Sequence, residues 1–298
     1  MQDGLENAAQ ALLAQYRDRN PGGFADTDLK AVRFFHTDAP APRMPLSYPP
    51  GLAIILAGKK IGYLDGHRFE YGAGSYLAVG LPLVFDCETF ASVKAPLFGL
   101  FLELCPSTLA DLGACLRRSR TLSPDTPDTG LGVEPLAIQP AMEEAITRLV
   151  RQLCSPPAAR ALGAGTLREI FFHALQDAHG HVLLSLCQVG RPEARIAALL
   201  QWAETQDSFQ LSTERLADQA GMSTATLHRH FRSVTGYPPV QYFRRQRLLR
   251  AQSMLQSKGV SVGQVASAIG YPDATGFSRD YRKLFGYPPS QTCVQPSS

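Results

Sequence analysis

Long apolar runs are missing from this 298-residue sequence, and no stretch of about 18 consecutive apolar residues predicts a membrane-spanning helix. Residues 1–19 lack the basic start and apolar block of a signal peptide and instead predict an amphipathic helix. The six cysteines lie far apart without a CxxC pair, which favours reduced thiols over disulfides in a cytoplasmic protein. Charged residues make up only 18% of the chain against 45% hydrophobic residues, which excludes wholesale disorder.

Charge is divided unevenly along the chain, although the formal net charge is only +3. Residues 191–298 carry 13 Lys and Arg against 7 Asp and Glu, whereas residues 1–190 carry 16 against 19. A basic C-terminal part predicts an anionic partner, and nucleic acid is the common one. The length predicts two domains.

The sequence pattern of the N-terminal part predicts an antiparallel β-structure. After a predicted helix within 1–23, short apolar runs alternate with turn residues through about residue 118, and Asp65-Gly66 predicts a hairpin because both residues accept positive φ. Such spacing is typical of a sandwich or small barrel. Residues 119–190 then predict a helical linker or dimerisation region. Its apolar faces, in 140–154 and 165–179, include four residues expected at a homodimer contact, with an intramolecular core as the alternative: Leu149, Leu153, Ile170 and Phe171.

The C-terminal part contains an internal repeat. Residues 212–236 read STERLADQAGMSTATLHRHFRSVTG, and residues 261–286 read SVGQVASAIGYPDATGFSRDYRKLFG. Each copy predicts a capped helix, a glycine turn at Gly221 or Gly270, and a second capped helix. This is the pattern of a helix-turn-helix, whose second helix enters the major groove of DNA. A single copy could be a plain helical hairpin, but two basic copies favour DNA binding.

Exposed side chains of the second helices predict the DNA contacts. They are Thr224, Thr226, His228, Arg229 and Arg232 in the first copy, and Thr275, Ser278, Arg279, Arg282 and Lys283 in the second. A long helix over 238–258 joins the copies, and we expect phosphate contacts from part of its basic set, which comprises Arg244, Arg245, Arg247 and Arg250.

Residues 193–290 resemble the DNA-binding domain of the AraC/XylS family of bacterial transcription regulators. The segments ERLADQAGMSTATLHRHFRSVTGYPPVQYFRRQRLLRAQSML and VGQVASAIGYPDATGFSRDYRKLFGYPPSQ carry the resemblance. It implies seven helices and activation by contact with RNA polymerase. It also implies that the two helix-turn-helix units, the first and the second reader, place their second helices in successive major grooves. It also implies base-facing positions at Ala225, His228 and Arg229 in the first reader and at Ala274, Thr275, Ser278 and Arg279 in the second. At Ala225 and Ala274 the chain departs from the family pattern towards small side chains, which can touch a thymine methyl at most.

Residues 24–118 more loosely resemble the cupin-like N-terminal domain of AraC-type regulators, in the subgroup that includes YqhC. The segments FFHTDAPAPRMPLSYPPGLAIILAGKK, YGAGSYLAVGLPLVF and PLFGLFLELCPSTLADL carry this resemblance, which implies an effector or dimerisation module. Metal-binding cupins hold their ion with two or three histidines and a glutamate. Here only His36 and His67 fall in the barrel, without that spacing, so we predict no metal and no cofactor.

A barrel of this size can hold one small ligand, and inward-facing aromatic and apolar side chains are its candidate lining, although each of them could simply fill the core. The candidates are Tyr48, Ile54, Tyr63, Tyr71, Tyr76 and Phe85. Tyrosines are favoured because a buried hydroxyl needs a partner.

The predicted fold class is therefore α+β in two domains. A cupin-like antiparallel β-barrel with flanking helices precedes an all-α domain, residues 191–298, with two helix-turn-helix motifs. The predicted function is a DNA-binding transcription regulator, an activator that binds double-stranded promoter DNA under the control of an unidentified effector or of dimerisation. Two alternatives remain open: a cupin-type enzyme fused to a DNA reader, and an architectural dimer that binds no ligand.

Overall fold

The computed structural model describes residues 2–17, 22–118, 133, 135–177, 180, 183, 192–204, 211–257 and 259–292. The predicted loop at 122–132, Cys187 and Cys293 lie outside the described residues. Of the described cysteines, Cys87 is buried, Cys154 is half-buried, and Cys105 and Cys115 are exposed. Within the described part of the chain, no helix is long and apolar enough to cross a membrane.

The N-terminal domain is built from two antiparallel sheets that face each other. The first six strands are β1 (Gly23–Asp26), β2 (Val32–Thr37), β3 (Ala41–Tyr48), β4 (Gly51–Ala57), β5 (Lys59–Leu64) and β6 (His67–Gly72). The other four are β7 (Ser75–Val79), β8 (Leu83–Phe90), β9 (Leu97–Glu103) and β10 (Pro135–Ala137). One sheet has the order β1-β2-β9-β4-β7-β10, and the other has the order β3-β8-β5-β6.

The hairpin predicted at Asp65-Gly66 is confirmed. Leu64 pairs with His67 across the turn, and both central residues have positive φ, 46° at Asp65 and 82° at Gly66. These angles match the turn that best fits the twist of two paired strands. The exposed carboxylate of Asp65, at the tip of this hairpin, contacts the C-terminal domain.

Helices cover the outer face of the six-stranded sheet. They are α1 (Gln2–Arg17), α2 (Pro106–Arg118), α3 (Pro140–Leu153) and α4 (Pro156–Gln176). Their apolar faces form one core with the sheet, to which Leu12, Phe34, Ile54, Leu149 and Phe171 contribute. A second core, between the two sheets, includes Tyr71, Phe85 and Phe101. The six-stranded sheet is therefore buried on both faces.

The C-terminal domain is all α-helical, and the predicted two-domain α+β fold class is confirmed. Its described residues form seven helices: α5 (Pro192–Glu204), α6 (Thr213–Ala220), α7 (Thr224–Thr235), α8 (Pro239–Gln256), α9 (Val262–Ala268), α10 (Ala274–Phe285) and α11 (Pro289–Thr292). Helices α5 to α7 share one core with the start of α8. Helices α9 and α10 share another with the end of α8. The long helix α8 thus joins two compact units.

Candidate nucleic-acid interface

The first reader, α6 and α7, has the local geometry that its sequence predicts. The side chains of Ser212 and Ser223 accept hydrogen bonds from the backbone N–H groups of Arg215 and Thr226, which caps both helices. Between the helices Gly221 adopts φ 60°, a left-handed conformation that costs other residues strain. Leu227 and Phe231 are completely buried, so they fix one face of α7 and leave the opposite face to solvent.

The second reader, α9 and α10, repeats this construction. Ser261 and Gln264 form a reciprocal capping box, and the carboxylate of Asp273 accepts from the N–H of Gly276 at 2.7 Å. Gly270 takes the turn with φ 77°. Phe277 and Tyr281 are fully buried, and their ring centroids are 5.5 Å apart.

The predicted base-reading side chains lie on the free faces of α7 and α10. Ser278 is half-buried, and the others are exposed: Ala225, His228, Arg229, Ala274, Thr275 and Arg279. Thr224, predicted as a DNA contact, is exposed at the start of α7. Of the predicted phosphate contacts, Arg232 and Arg282 are exposed in the last turns of the same helices. Because the apolar faces are turned inward on both helices, each unit presents the polar, basic face of a helix, an element that the major groove of DNA admits.

Helix α8 presents its predicted arginines in different environments. Arg244 is half-exposed, with its Nε 3.6 Å from a carboxylate oxygen of Asp280. The side chain of Arg245 is only 14% exposed. It forms a short ion pair with Asp86 of the β-domain, and its guanidinium lies 4.8 Å from the ring centroid of Tyr237. Arg245 therefore contacts the β-domain in this arrangement.

Further contacts join the β-domain to the first reader. Arg232 of α7 pairs with Asp65 of the hairpin tip at 3.0 Å. The hydroxyl of Tyr242 donates to the carbonyl of Pro82 at 2.6 Å, and Leu81 is buried in the core of the first reader. The domain contact thus combines an apolar contact at Leu81 with two ion pairs, and each ion pair uses an arginine that is predicted to bind DNA.

The six candidate ligand-lining residues do not form one site. Tyr48, Tyr71 and Phe85 meet between the sheets, where the two hydroxyls lie 2.6 Å apart and the rings of Tyr48 and Phe85 stack at 4.7 Å. Ile54 and Tyr76 instead face the helices, in the other core. The hydroxyl of Tyr76 donates to Asp177 at 2.8 Å, and burial raises its pKa. Tyr63 lies on the outer surface, where it donates to Glu88 and its ring lies under Arg43.

Two polar residues that the sequence analysis missed join the Tyr48–Tyr71 pair. The Lys60 ammonium donates to the Tyr48 hydroxyl at 3.1 Å. The Cys87 sulfur lies 3.4 Å from the Tyr71 hydroxyl and 3.7 Å from that of Tyr48. Strand alternation could have found Lys60, since Lys60 and Leu64 have the same parity on β5 and Leu64 is buried between the sheets.

The four residues expected at a dimer contact are buried within the chain itself. Leu149, Leu153, Ile170 and Phe171 are each at most 1% exposed, because α3 and α4 pack on the sheet and on each other. These side chains form the intramolecular core that was the alternative to a dimer contact.

Comparison with known families finds one match in each of the two domains. Residues 28–182 match the AraC-type transcriptional regulator N-terminus, which covers more than half of the chain. Residues 216–293 match a helix-turn-helix domain.

Similar proteins include HTH-type transcriptional activators named RhaS. That of Escherichia fergusonii is 31% identical over 147 residues, which are 49% of this chain and 52% of that protein. That of Pectobacterium atrosepticum is 36% identical over 100 residues, 34% of this chain and 36% of that protein. The chain therefore spans about half, or less, of the length of these curated relatives.

Solved structures of ToxT from Vibrio cholerae share the fold of almost the whole chain. One covers 90% of this chain and 100% of ToxT with a TM-score of 0.54 at 9% identity. Another, with an unsaturated fatty acid bound, covers 90% and 97% with a TM-score of 0.53 at 9% identity. At this identity the likeness concerns the fold.

Proposed function

Because the chain belongs to the AraC-type transcriptional regulators, we propose that it binds promoter DNA through two helix-turn-helix units and activates transcription. The observation that carries the proposal is the pair of capped readers, each with a buried apolar face and an exposed polar, basic face. The activator relatives support the sign of regulation. RNA polymerase is then the protein partner, and the cytoplasm, which holds the chromosome, is the compartment.

Each DNA contact has a proposed role. Arg229 and Arg279 read guanine with two parallel hydrogen bonds, the commonest specific contact in the major groove. Their neighbours on the same faces read adjacent bases: Thr224, Ala225, His228, Ala274, Thr275 and Ser278. Phosphates are bound by Arg232, Arg244, Arg245 and Arg282, which position the readers without adding sequence information.

The β-domain is proposed as the regulatory part of a homodimer rather than as an enzyme. The N-terminal family match and the curated relatives are transcription regulators, and this favours control over catalysis. Its effector site is proposed at the cluster of Tyr48, Tyr71 and Phe85 between the sheets. ToxT, a protein of the same fold, holds an unsaturated fatty acid.

Capture of fragmented genomic DNA on the purified full-length protein tests the proposal. We expect the captured fragments to share a sequence motif and to lie upstream of genes. Capture without a shared motif, or capture equal to that of an Arg229→Ala/Arg279→Ala protein, would contradict sequence-specific binding.

The domain contact predicts that Asp65→Asn/Asp86→Asn strengthens DNA binding. Arg232 and Arg245 reach phosphates only after their pairs with Asp65 and Asp86 break. Removing both carboxylates frees two arginines, so we expect the slope of log affinity against log salt to steepen by roughly 1–2 units. Fluorescence anisotropy over a salt series measures this slope.

A matched control separates the contact from general charge. Glu70→Gln/Glu88→Gln removes the same charge from the same sheet, but these carboxylates pair with Lys59, Arg68 and Tyr63 instead of with the readers. An equal gain in the control would show that net charge, and not the domain contact, limits binding.

A further inference from the structure

Lys60 places an ammonium group between the two sheets of the β-domain. It pairs in register with Tyr71 on β6 and Thr89 on β8, and partners in register have their side chains on the same face of a sheet. Tyr71 and Thr89 are both buried, whereas Lys60 itself is half-buried. The side chain therefore runs from the rim of the sheet to the inner hydroxyl of Tyr48.

The polar groups around Lys60 are richer in hydrogen-bond donors than in acceptors. Lys60 has only donors, and each tyrosine hydroxyl and the thiol adds one. Burial raises the pKa values of Tyr48, Tyr71 and Cys87, so all three keep their protons at neutral pH. Burial also lowers the pKa of Lys60. The acceptors are two phenol oxygens, already used within the cluster, and a weakly accepting sulfur.

No described carboxylate forms an ion pair with Lys60. The acidic residues of this sheet are engaged on its other face: Glu70 with Lys59 and Arg68, and Asp86 with Arg43 and Arg245. A buried ammonium without a counter-ion is costly, and an arriving anion would remove that cost.

We propose that Lys60 and Tyr48 bind the acid group of a small organic anion, which reaches the cluster along the half-buried Lys60 side chain. The inference deepens the proposed function and rests on it, because it places the effector at the Tyr48–Tyr71–Phe85 cluster and gives its chemical class. The acid group accepts from the ammonium and from the Tyr48 hydroxyl. The rings of Phe69 and Phe85, 5.5 Å apart, provide an apolar wall for the rest of the molecule.

Binding of anionic probes to the full-length protein tests this site. The probes are phenylacetate, hexanoate and phenyl phosphate, each measured by calorimetry and by thermal shift, with phenylacetamide and hexanamide as neutral counterparts. We expect at least one anion to bind and to raise the Tm, and its neutral counterpart to bind more weakly. Preference for phenyl phosphate would identify the acid group of the natural ligand as a phosphate ester, and preference for phenylacetate or hexanoate would identify it as a carboxylate.

Two lysine variants give the decisive comparison. Lys60→Met is expected to raise the Kd of the bound anion by roughly 10- to 100-fold, the usual cost of losing a charge-assisted hydrogen bond. Lys59→Met, which removes the adjacent, exposed lysine paired with Glu70, is expected to leave the Kd unchanged. Tyr48→Phe should weaken the anion less than Lys60→Met, since it removes a neutral donor.

The ligand-free proteins distinguish a binding role from a structural role. A binding lysine predicts that Lys60→Met has a Tm equal to or above that of the wild type, because an unpaired buried charge is removed. A lower Tm, together with anion binding that survives in Lys60→Met, would overturn the proposal, as would a wild type that binds none of the three anions. DNA capture is measured on the same proteins, so failure of the anion site is distinguishable from failure of DNA binding.

Discussion

Replacing Arg229 and Arg279 together by alanine is expected to weaken specific DNA binding by about 2–6 kcal/mol, since each guanine contact contributes about 1–3 kcal/mol. Both arginines are exposed at matching places on the readers, so the substitutions should leave the fold intact. Their small neighbours Ala225 and Ala274 offer a thymine methyl contact at most and cannot compensate. Titration of a captured promoter fragment against a scrambled fragment measures the loss.

Arg282→Ala is the matched control for this experiment. Arg282 is exposed in the last turn of α10 and is assigned to phosphate, so its loss should weaken both fragments alike. If the Arg229→Ala/Arg279→Ala protein discriminated between the fragments as fully as the wild type, neither arginine would contact a base.

Replacing Phe277 by alanine is expected to lower the free energy of unfolding of the second reader by about 3–5 kcal/mol. The side chain is completely buried, and its ring lies 5.5 Å from those of Tyr271 and Tyr281. The first reader has a separate core, so its backbone amides should keep their protection. Hydrogen exchange resolved by segment measures both units at once.

Leu162→Ala serves as the control, because Leu162 is 59% exposed on α4 and its truncation should change stability by less than about 0.5 kcal/mol. A Phe277→Ala protein with unchanged protection in α9 and α10 would contradict the packing described for this unit.

Local signals explain why the readers were predictable from the sequence. The capped helices predicted from the repeat are present, with caps at Ser212, Ser223, Ser261 and Asp273 that each bind a backbone N–H three residues ahead. The turn glycines and the buried pairs one helical turn apart are also local. The repeat showed the pattern twice, which distinguished it from a plain helical hairpin.

The β-domain was less predictable because its central sheet is covered on both faces. The strand β4, Gly51–Ala57, is an unbroken apolar run. Because polar and apolar residues do not alternate along it, the sequence does not indicate which of its side chains face the helices and which face the second sheet. Ile54 and Tyr76 were therefore grouped with Tyr48 and Tyr71, although a sheet separates them. Lys60 was missed because the Lys59-Lys60 pair resembles a solvated strand end.

Contacts between distant parts of the chain had no sequence signal at all. Arg245 and Asp86 are 159 residues apart, and Arg232 and Asp65 are 167 apart. Nothing near an exposed-looking arginine indicates that a carboxylate from another domain neutralises it. The same limit applies to α3 and α4, whose apolar faces predict burial but not the surface that buries them.

Protection of guanine N7 from methylation on a captured promoter fragment tests the central claim most directly, because it reports major-groove contact base by base. Two readers joined by α8 predict two protected clusters per chain, about one helical turn or 10 base pairs apart. Arg279→Ala should abolish one cluster and Arg229→Ala the other. A single protected cluster, or two clusters that both respond equally to either substitution, would contradict an account in which each helix-turn-helix unit reads its own groove.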